Sequence, residues 1–244
     1  MSMRLSKYMA SCGLCSRRTA DQYIRDGRVT VDGAIAQLGQ TVEGDESILV
    51  DGVPLPEMDK KVVAAYYKPV GVTCTEKDPH AARTLGEAFS FPVRLTYAGR
   101  LDRDSEGLLI MTNDGDLIEA MMRGTHGHEK EYIVRVRSRI TDAGLARMRA
   151  GMFLKELGVR TRPCRVERLG DRTFRIVLTQ GLNRQIRRMC KAVGTEVVRL
   201  KRVRVLNIQL GSMKPGEIRI VTGQELDRLY EEAFLKDGRS LKRQ

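Results

Sequence analysis

Two aspartates lie in a short polar stretch directly before an apolar strand. Asp102 and Asp104 alternate with Arg100 and Arg103, and the apolar run 107–112 follows at once. A carboxylate held at the edge of a rigid element is well placed for nucleophilic or acid–base catalysis. Taken alone, the stretch has a simpler explanation, because aspartates in turns usually cap backbone N–H groups and adjacent arginines usually form exposed ion pairs. Asp102 is therefore a candidate whose role depends on its context.

A second chemical signal is a helix that separates cations from apolar side chains. Between residues 183 and 193, basic residues recur at intervals of three and four, namely Arg184, Arg187, Arg188 and Lys191. Apolar residues follow the same spacing on another face, as in a helix with one buried side. Residues 184–204 together hold eight basic residues and one acid. This surplus favours contacts with the phosphates of a nucleic acid, with an affinity that falls as salt rises.

The elements that must position these residues follow from hydrophobic periodicity and turn signals. Residues 4–26 predict two helices, and Asp-Gly pairs at 32–33 and 51–52 predict hairpins in a small β unit. The polar segment 57–61 is predicted to be a linker. Further strands are predicted at 62–67, 107–112, 132–137, 174–179 and 196–205, and helices at about 115–123, 141–150, 183–193 and 223–235. Several neighbouring strands lack the crossover that parallel pairing needs, so we expect an α+β fold with a large, mostly antiparallel mixed sheet flanked by helices.

Composition narrows the class of protein. The 244 residues carry a formal charge of +12, and residues 1–61 contribute none of the excess. No stretch approaches the roughly 20 apolar residues of a membrane span, so we expect a cytoplasmic protein that does not bind membranes. The five scattered cysteines predict reduced thiols. Cys12 and Cys15 lack a second ligand pair, and the three histidines are no better placed, so no metal site is expected.

Four motifs, in order, resemble the RsuA/RluB/RluE/RluF family of ribosomal RNA pseudouridine synthases. The segment GRLDRDSEGLLIMTNDGDL at 99–117 resembles the family signature, and YKPVGVTCT at 67–75 its opening strand and turn. The segments HEKEYIVRV at 128–136 and QGLNRQIRRM at 180–189 resemble the second and third motifs. Residues 4–55 are similar to the S4-type RNA-binding domain. The resemblance implies an S4-like domain at 3–58, a catalytic domain at 62–235 and a flexible tail at 236–244.

The resemblance also implies a reaction and roles for individual residues. Such an enzyme breaks the bond between ribose and uracil, turns the ring and rejoins it through carbon 5, which requires no cofactor. Asp102 would be the catalytic residue, acting either as a nucleophile on the anomeric carbon or as a base that removes a ribose proton. Tyr132 would stack on the target base and could relay protons. Arg187 would pair with Asp102 and keep it ionised.

The same resemblance predicts how the RNA is held. Because uracil must leave its stack, single-stranded or looped RNA is the expected substrate. Arg100 would fill the space left by the flipped base, and flanking phosphates would be bound by Arg184, Gln185, Arg188 and Lys191. In the N-terminal part, a local positive face would include Lys7, Arg17 and Arg18.

The third motif most resembles the RluF branch, which acts on large-subunit RNA. We therefore expect a monomer that acts on 23S rRNA, free or in a pre-ribosomal particle. The open alternatives are a synthase for 16S rRNA or tRNA, and a non-catalytic RNA-binding or ribosome-assembly protein. A methyltransferase or a DNA-binding protein is disfavoured, because neither a Gly-rich nucleotide turn nor a recognisable reading helix is present.

Overall fold

Two units are distinguished by contacts in the computed structural model, which describes residues 2–76, 78–123 and 127–235. The smaller unit comprises residues 2–62 with Phe91–Leu95 and Asn113–Gly115. The larger unit comprises Val63–Ser90, Thr96–Thr112 and the chain from Asp116 onward. The segment 236–244, predicted to be a tail, lies outside the described residues. No helix within the described ranges is long and apolar enough to cross a membrane.

The smaller unit consists of two short helices and a four-stranded sheet. Its helices are α1 (Leu5–Ser11) and α2 (Arg17–Arg25), and Thr19 N–H donates to the Ser16 hydroxyl to cap the second. The strands are β1 (Met3–Arg4), β2 (Val29–Val31), β3 (Ala34–Ile35), β4 (Thr41–Val42), β5 (Ile48–Val50) and β6 (Val53–Pro54). The antiparallel sheet has the order β3-β2-β5-β6, and β1 pairs with β4.

Both predicted Asp-Gly hairpins are present in this unit. Asp32 and Asp51 have φ of 49° and 52°, and the glycines that follow have φ of 80° and 79°. Two successive left-handed residues match the right-handed twist of the paired strands, which is why Asp-Gly is favoured at these turns. The unit buries its own apolar cluster, formed by Leu5, Met9, Cys15, Ala20, Ile24, Val29, Val31, Ala36, Val42, Ile48 and Val50.

The larger unit is built on a nine-stranded mixed sheet. Its main path runs β13-β14-β10-β15-β9-β7-β17, with β16 paired to β15 and β8 to β9. The strands are β7 (Val63–Lys68), β8 (Thr96–Tyr97), β9 (Glu106–Thr112), β10 (Lys130–Val136), β13 (Arg165–Gly170), β14 (Thr173–Leu178), β15 (Val197–Val205), β16 (Ile208–Gln209) and β17 (Ile218–Ile220). A separate hairpin is formed by β11 (Phe153–Leu154) and β12 (Val159–Arg160). The helices are α3 (Leu85–Ala88), α4 (Gly115–Met122), α5 (Asp142–Ala150), α6 (Gln185–Ala192) and α7 (Gly223–Phe234).

The single parallel pairing in this sheet joins its two halves. Within the described residues, β9 and β15 run parallel through only Lys201–Glu106 and Arg202–Gly107, and the other pairings are antiparallel. One apolar cluster packs β7 and β9 with α4 and α7, and another packs β10 and β14 with α5 and α6. The predicted α+β class and the mostly antiparallel sheet are confirmed.

Gly107 allows the two strands to approach each other at this junction. Its φ is 110°, which side chains other than hydrogen disfavour, and a Cβ there would lie 2.2 Å from the Arg202 carbonyl oxygen. The close approach therefore requires glycine on both conformational and steric grounds.

Candidate active site

A cavity of about 600 Å³ lies in the larger unit. It is bordered by the turn before β9, the first residues of β10, the loop before α6 and the middle of β15. Of the described residues that line it, six are Lys or Arg, and Asp102 is the one carboxylate. The cavity therefore surrounds a single acid with positive charge, which is the electrostatic setting for binding RNA near one reactive group.

Asp102 is positioned by a tight turn and by the loop after β7. Ser105 N–H donates to the Asp102 carbonyl oxygen at 3.0 Å, and Gly71 N–H donates to the Arg103 carbonyl oxygen at 2.7 Å. The Asp102 side chain retains about a third of its exposure, 35%. The carboxylate is thus presented to the cavity from a backbone that is hydrogen-bonded on both sides.

Lys68 has a structural explanation in this arrangement. Its buried ammonium donates to the carbonyl oxygens of Pro69 and Val72, both at 2.8 Å. Burial lowers the pKa of Lys68 to about 8, and the nearby charge of Arg202 contributes in the same direction. Lys68 therefore stabilises the loop that supports the Asp102 turn.

The predicted ion pair between Arg187 and Asp102 is wrong, because Arg187 pairs with Asp104 instead. Arg187 Nη2 lies 3.2 Å from the Asp104 carboxylate and donates to the Asp104 carbonyl oxygen at 2.8 Å and to the Ser105 hydroxyl at 3.2 Å. The turn places Asp104 and Ser105, two and three residues further on, against the first turn of α6. Spacing in the sequence could not distinguish the two carboxylates.

Arg184 is the cation that lies beside Asp102. Its Nη1 is 3.6 Å from Asp102 Oδ2, and its Nη2 donates to Asp104 Oδ2 at 3.0 Å. Arg184 precedes α6 with a left-handed φ of 50°, a conformation that costs about 1 kcal/mol for such a residue. Its hydrogen bond to Asp104 raises the pKa of Arg184 further, so the guanidinium stays charged.

Asp104 is held ionised by both arginines. Burial alone would raise the pKa of Asp104, but the hydrogen bond from Arg184 and the charge of Arg187 lower it below the ordinary value. Asp104 thus fixes the two arginines relative to the Asp102 turn.

Tyr132 lines the same cavity from β10, as predicted. It is half-buried and lies opposite Arg202 of β15 in the antiparallel pair. Lys130 precedes it by two residues on the same strand and also lines the cavity. Sequence reasoning missed Lys130 and Arg202. Lys130 could have been found from its two-residue spacing from Tyr132 on one strand. Arg202 could be found only from the cross-strand register, which requires the structure.

The other predicted RNA-binding residues fall into two groups. Arg100, Arg184 and Gln185 line the cavity, although Gln185 is buried and its side-chain Oε1 accepts from Leu182 N–H at 3.2 Å. Gln185 therefore holds the loop before α6.

The second group lies outside the cavity lining. Arg188 forms an ion pair with Glu156, and Lys191 Nζ lies 3.2 Å from the same carboxylate. Arg187 is also absent from the lining. Arg17 and Arg18 are exposed on α2 of the smaller unit, and Lys7 is half-buried on α1.

The described histidines and cysteines have contacts other than a metal site. His128 is buried, with Nε2 3.0 Å from the Ala120 carbonyl oxygen, and Cys12 and Cys15 are buried free thiols. His126 lies outside the described residues. Among the residues that the structure describes, no three His, Cys, Asp or Glu side chains cluster in a way that could hold a metal ion.

Comparison with known proteins assigns the family. The model of the RNA pseudouridylate synthase family matches residues 62–192, and that of the S4 domain matches residues 3–48. The chain therefore belongs to the RNA pseudouridylate synthase family and is an isomerase that carries an N-terminal S4 domain. The resemblance seen in the four motifs is confirmed.

Relatives and a solved structure agree with this assignment. The chain is 40% identical to the dual-specificity RNA pseudouridine synthase RluF of Salmonella typhi, over 94% of this chain and 79% of that protein. It is 34% identical to ribosomal large subunit pseudouridine synthase B of Bacillus subtilis, over 93% of this chain and 95% of that protein. A crystal structure described as a pseudouridylate synthase matches with a TM-score of 0.69 and 28% identity, over 93% of this chain and 99% of the other.

Proposed function

We propose that this protein converts a specific uridine of 23S rRNA to pseudouridine, with Asp102 as the catalytic residue. The observation that carries the proposal is that Asp102 is the one carboxylate among the described residues lining a cavity otherwise rich in Lys and Arg. The names of the relatives, which refer to the ribosomal large subunit and to RluF, support the choice of RNA.

The geometry supports the following division of roles. Asp102, which has Arg184 Nη1 3.6 Å from its Oδ2, attacks the anomeric carbon or removes a ribose proton, and either route releases the uracil ring. Tyr132 stacks on the ring from β10. Arg187 has an indirect role, because it binds Asp104 and Ser105 in the turn that positions Asp102.

RNA contacts follow from the positive surface around the cavity. Extruding a base from its stack costs a few kcal/mol, which contacts to the flanking nucleotides must offset. Arg100 would occupy the space left by the base, while Arg184, Arg188 and Lys191 would bind neighbouring phosphates. Lys7, Arg17 and Arg18 of the S4 domain would provide RNA contacts of their own.

We also propose the domain boundaries 3–58 and 62–235 and a monomer that works in the cytoplasm without a cofactor. Isomerisation leaves the composition of the nucleotide unchanged, so no redox or group-transfer partner is needed.

The first test is Asp102→Asn, which removes one charge at nearly constant size. Wild-type protein incubated with unmodified 23S rRNA should give a single new primer-extension stop after carbodiimide labelling. Asp102→Asn should give no stop, while its RNA affinity stays within about threefold of wild type, because the change spares the phosphate contacts.

The matched control is Asp171→Asn, the same chemical change at an exposed turn whose carboxylate lies 3.8 Å from Arg139. It should behave as wild type. Turnover by Asp102→Asn near the wild-type rate would refute the catalytic assignment. Because the Salmonella typhi relative is named a dual-specificity enzyme, 16S rRNA, tRNA and pre-ribosomal particles belong in the same assay. A stop in one of these and none in 23S rRNA would replace the proposed substrate.

A further inference from the structure

Two cations on neighbouring strands line the cavity without an acidic partner. Lys130 of β10 and Arg202 of β15 lie in its wall beside Tyr132. Across the described part of the chain, neither side chain forms an ion pair with an aspartate or glutamate. Their neighbours differ in this respect, since Arg199 and Arg204 of the same strand β15 are both paired with glutamates.

Burial makes this lack of compensation costly. Arg202 is 2% exposed, and its guanidinium donates only to backbone carbonyl oxygens, those of Leu108 at 2.7 Å and Arg100 at 3.3 Å. Its Nη2 is buried with no hydrogen-bond partner among the described residues. Burial, and then the charge of Arg202, lower the pKa of Lys130 to about 8. A buried cation without a counterion is unfavourable, so the buried Arg202, with the half-buried Lys130 near it at a functional cavity, indicates an anion that is supplied by the ligand.

The position of the pair selects which anion. RNA phosphates are accessible to the exposed Arg184 before α6, whereas Lys130 and Arg202 lie on the sheet beside Tyr132, where a flipped base would stack. On the basis of the proposed function, we propose that Lys130 is a further catalytic residue. Its ammonium donates a hydrogen bond to a carbonyl oxygen of the uracil ring and stabilises the ring as an anion while the ring is detached from the ribose. Arg202 is a positioning residue that keeps the local potential positive.

The step balances without a further reactant. The bond between C1′ and N1 breaks, and its electron pair stays on the ring, which becomes an anion with charge on N1 and both carbonyl oxygens. After the ring turns, C5 forms the new bond to C1′: in the covalent route it displaces the Asp102 carboxylate from C1′, and in the glycal route it adds to C1′ while the abstracted proton returns to C2′. The proton on C5 is then lost to a base, and N1 takes up one proton. Both routes open to Asp102 pass through this detached ring, so the role of Lys130 does not depend on the choice between them.

The proposal predicts the pH dependence of the chemical step. Ionisable groups that line the cavity with Lys130 are Cys74, Arg100, Asp102, Arg103, Arg123, His128, Tyr132, Arg184 and Arg202. The ammonium must be protonated to act, so the wild-type rate should fall as pH rises through the pKa of Lys130. An arginine at this position stays charged, and the fall should then disappear.

The decisive experiment measures single-turnover pseudouridine formation at saturating RNA, from pH 6 to 9.5, for wild type, Lys130→Met and Lys130→Arg. Lys130→Met should slow the reaction at pH 7 by at least about 100-fold, as expected for loss of one donor to a developing anion, with RNA affinity within twofold. Lys130→Arg should keep at least a tenth of the wild-type rate at pH 7 and show no fall at high pH. Lys155→Met, at an exposed position in the β11–β12 hairpin, is the matched control and should follow wild type.

Several results would overturn the inference. One is a Lys130→Met rate within threefold of wild type, and another is a Lys130→Arg profile that falls with pH as wild type does. A wild-type rate that rises through pH 8 would assign Lys130 as a base instead. If Lys130→Met does not fold, Lys130→Gln takes its place under the same criteria. Asp102→Asn is run in parallel: if it is inactive while Lys130→Met is normal, only this inference fails, and if wild type modifies no RNA, the proposed function fails with it.

Discussion

Two sets of cations at or near the same cavity differ in whether a carboxylate compensates their charge. The helix rim consists of Arg184 and Arg187 with their partner Asp104, at the beginning of α6. The sheet wall consists of Lys130 and Arg202. Each arginine of the helix rim has a carboxylate within 3.2 Å, whereas in the described chain the sheet wall has none.

This difference separates two tasks. A cation that is paired with a carboxylate stays in position whether or not RNA is bound. The helix rim is therefore suited to positioning the Asp102 turn and to binding phosphates. An uncompensated cation next to a cavity interacts most favourably when the substrate itself carries negative charge. The sheet wall is therefore suited to the step in which the ring is an anion, which is the basis of the Lys130 inference.

The largest effect is expected from a substitution that disrupts the parallel pairing of β9 and β15, because β15 holds Arg202 of the sheet wall. Gly107→Ala would place a Cβ 2.2 Å from the Arg202 carbonyl oxygen, at a φ of 110°. Backbone cannot yield as a flexible side chain can, so β9 and β15 must separate. We expect a loss of at least about 3 kcal/mol in the free energy of unfolding, measured by urea denaturation, and a loss of activity.

A matched glycine controls for the substitution itself. Gly170 ends β13, and a Cβ there would have no heavy atom within 4 Å. Gly170→Ala should therefore change the free energy of unfolding by less than about 0.5 kcal/mol. Equal stability of Gly107→Ala and wild type would show that the parallel junction does not need glycine.

A smaller effect is expected from removing the carboxylate of the helix rim. Asp104→Asn releases Arg184 and Arg187 from their shared anchor, and the Asp102 turn loses that constraint. We expect about a tenfold fall in the single-turnover rate, because small displacements of a catalytic group are costly. The loss of stability at pH 7 should stay under about 1 kcal/mol, since the pair is exposed.

The stability difference should also depend on pH in a defined direction. The pKa of Asp104 is lowered in the folded protein, so its contribution is present above the unfolded pKa of about 3.9 and is lost as pH falls through the lower folded value. Wild type and Asp104→Asn should therefore converge in urea denaturation in strong acid. Asp142→Asn, which removes an exposed carboxylate paired with Arg168, should cost similar stability and leave the rate unchanged. A normal rate for Asp104→Asn would mean that the helix rim does not position Asp102.

Features that are local in the sequence could be predicted, whereas features that depend on distant parts of the chain could not. Most of the long strands and helices were predicted within a few residues, because each carries several turns or alternations of apolar residues. The six-residue strand β13 was missed, since Val166 is its one buried residue, and the one-turn helix α3 was missed as well. The short strands β8, β16 and β17 and the β11–β12 hairpin were missed, since two or three residues show no period. Their pairing depends on neighbouring strands that are distant in the chain.

The site residues also divide into those that the sequence could predict and those that only the fold reveals. Asp102 and Tyr132 could be placed at one cavity because each belongs to a motif with a distinctive order. The helix rim was visible as periodic charge, but its pairing with Asp104 depends on how one turn meets α6. Lys130 and Arg202 looked like ordinary strand cations, because burial and the absence of a partner acid are properties of the fold.

The smallest expected effect tests whether cations beyond the cavity also meet RNA. Glu156 pairs with Arg188 and Lys191 of α6, so it compensates them as Asp104 compensates the helix rim. If these cations bind phosphates, the glutamate competes with RNA for them. Glu156→Gln should then tighten RNA binding about two- to threefold near 0.1 M salt, and the gain should vanish at 1 M, where the screening length is only about 3 Å. Glu232→Gln removes a carboxylate paired with Arg228 on α7 and should leave affinity unchanged. Weaker binding by Glu156→Gln would instead show that Glu156 orients Arg188 and Lys191 for the RNA, in which case compensation and recognition act together on this face of α6.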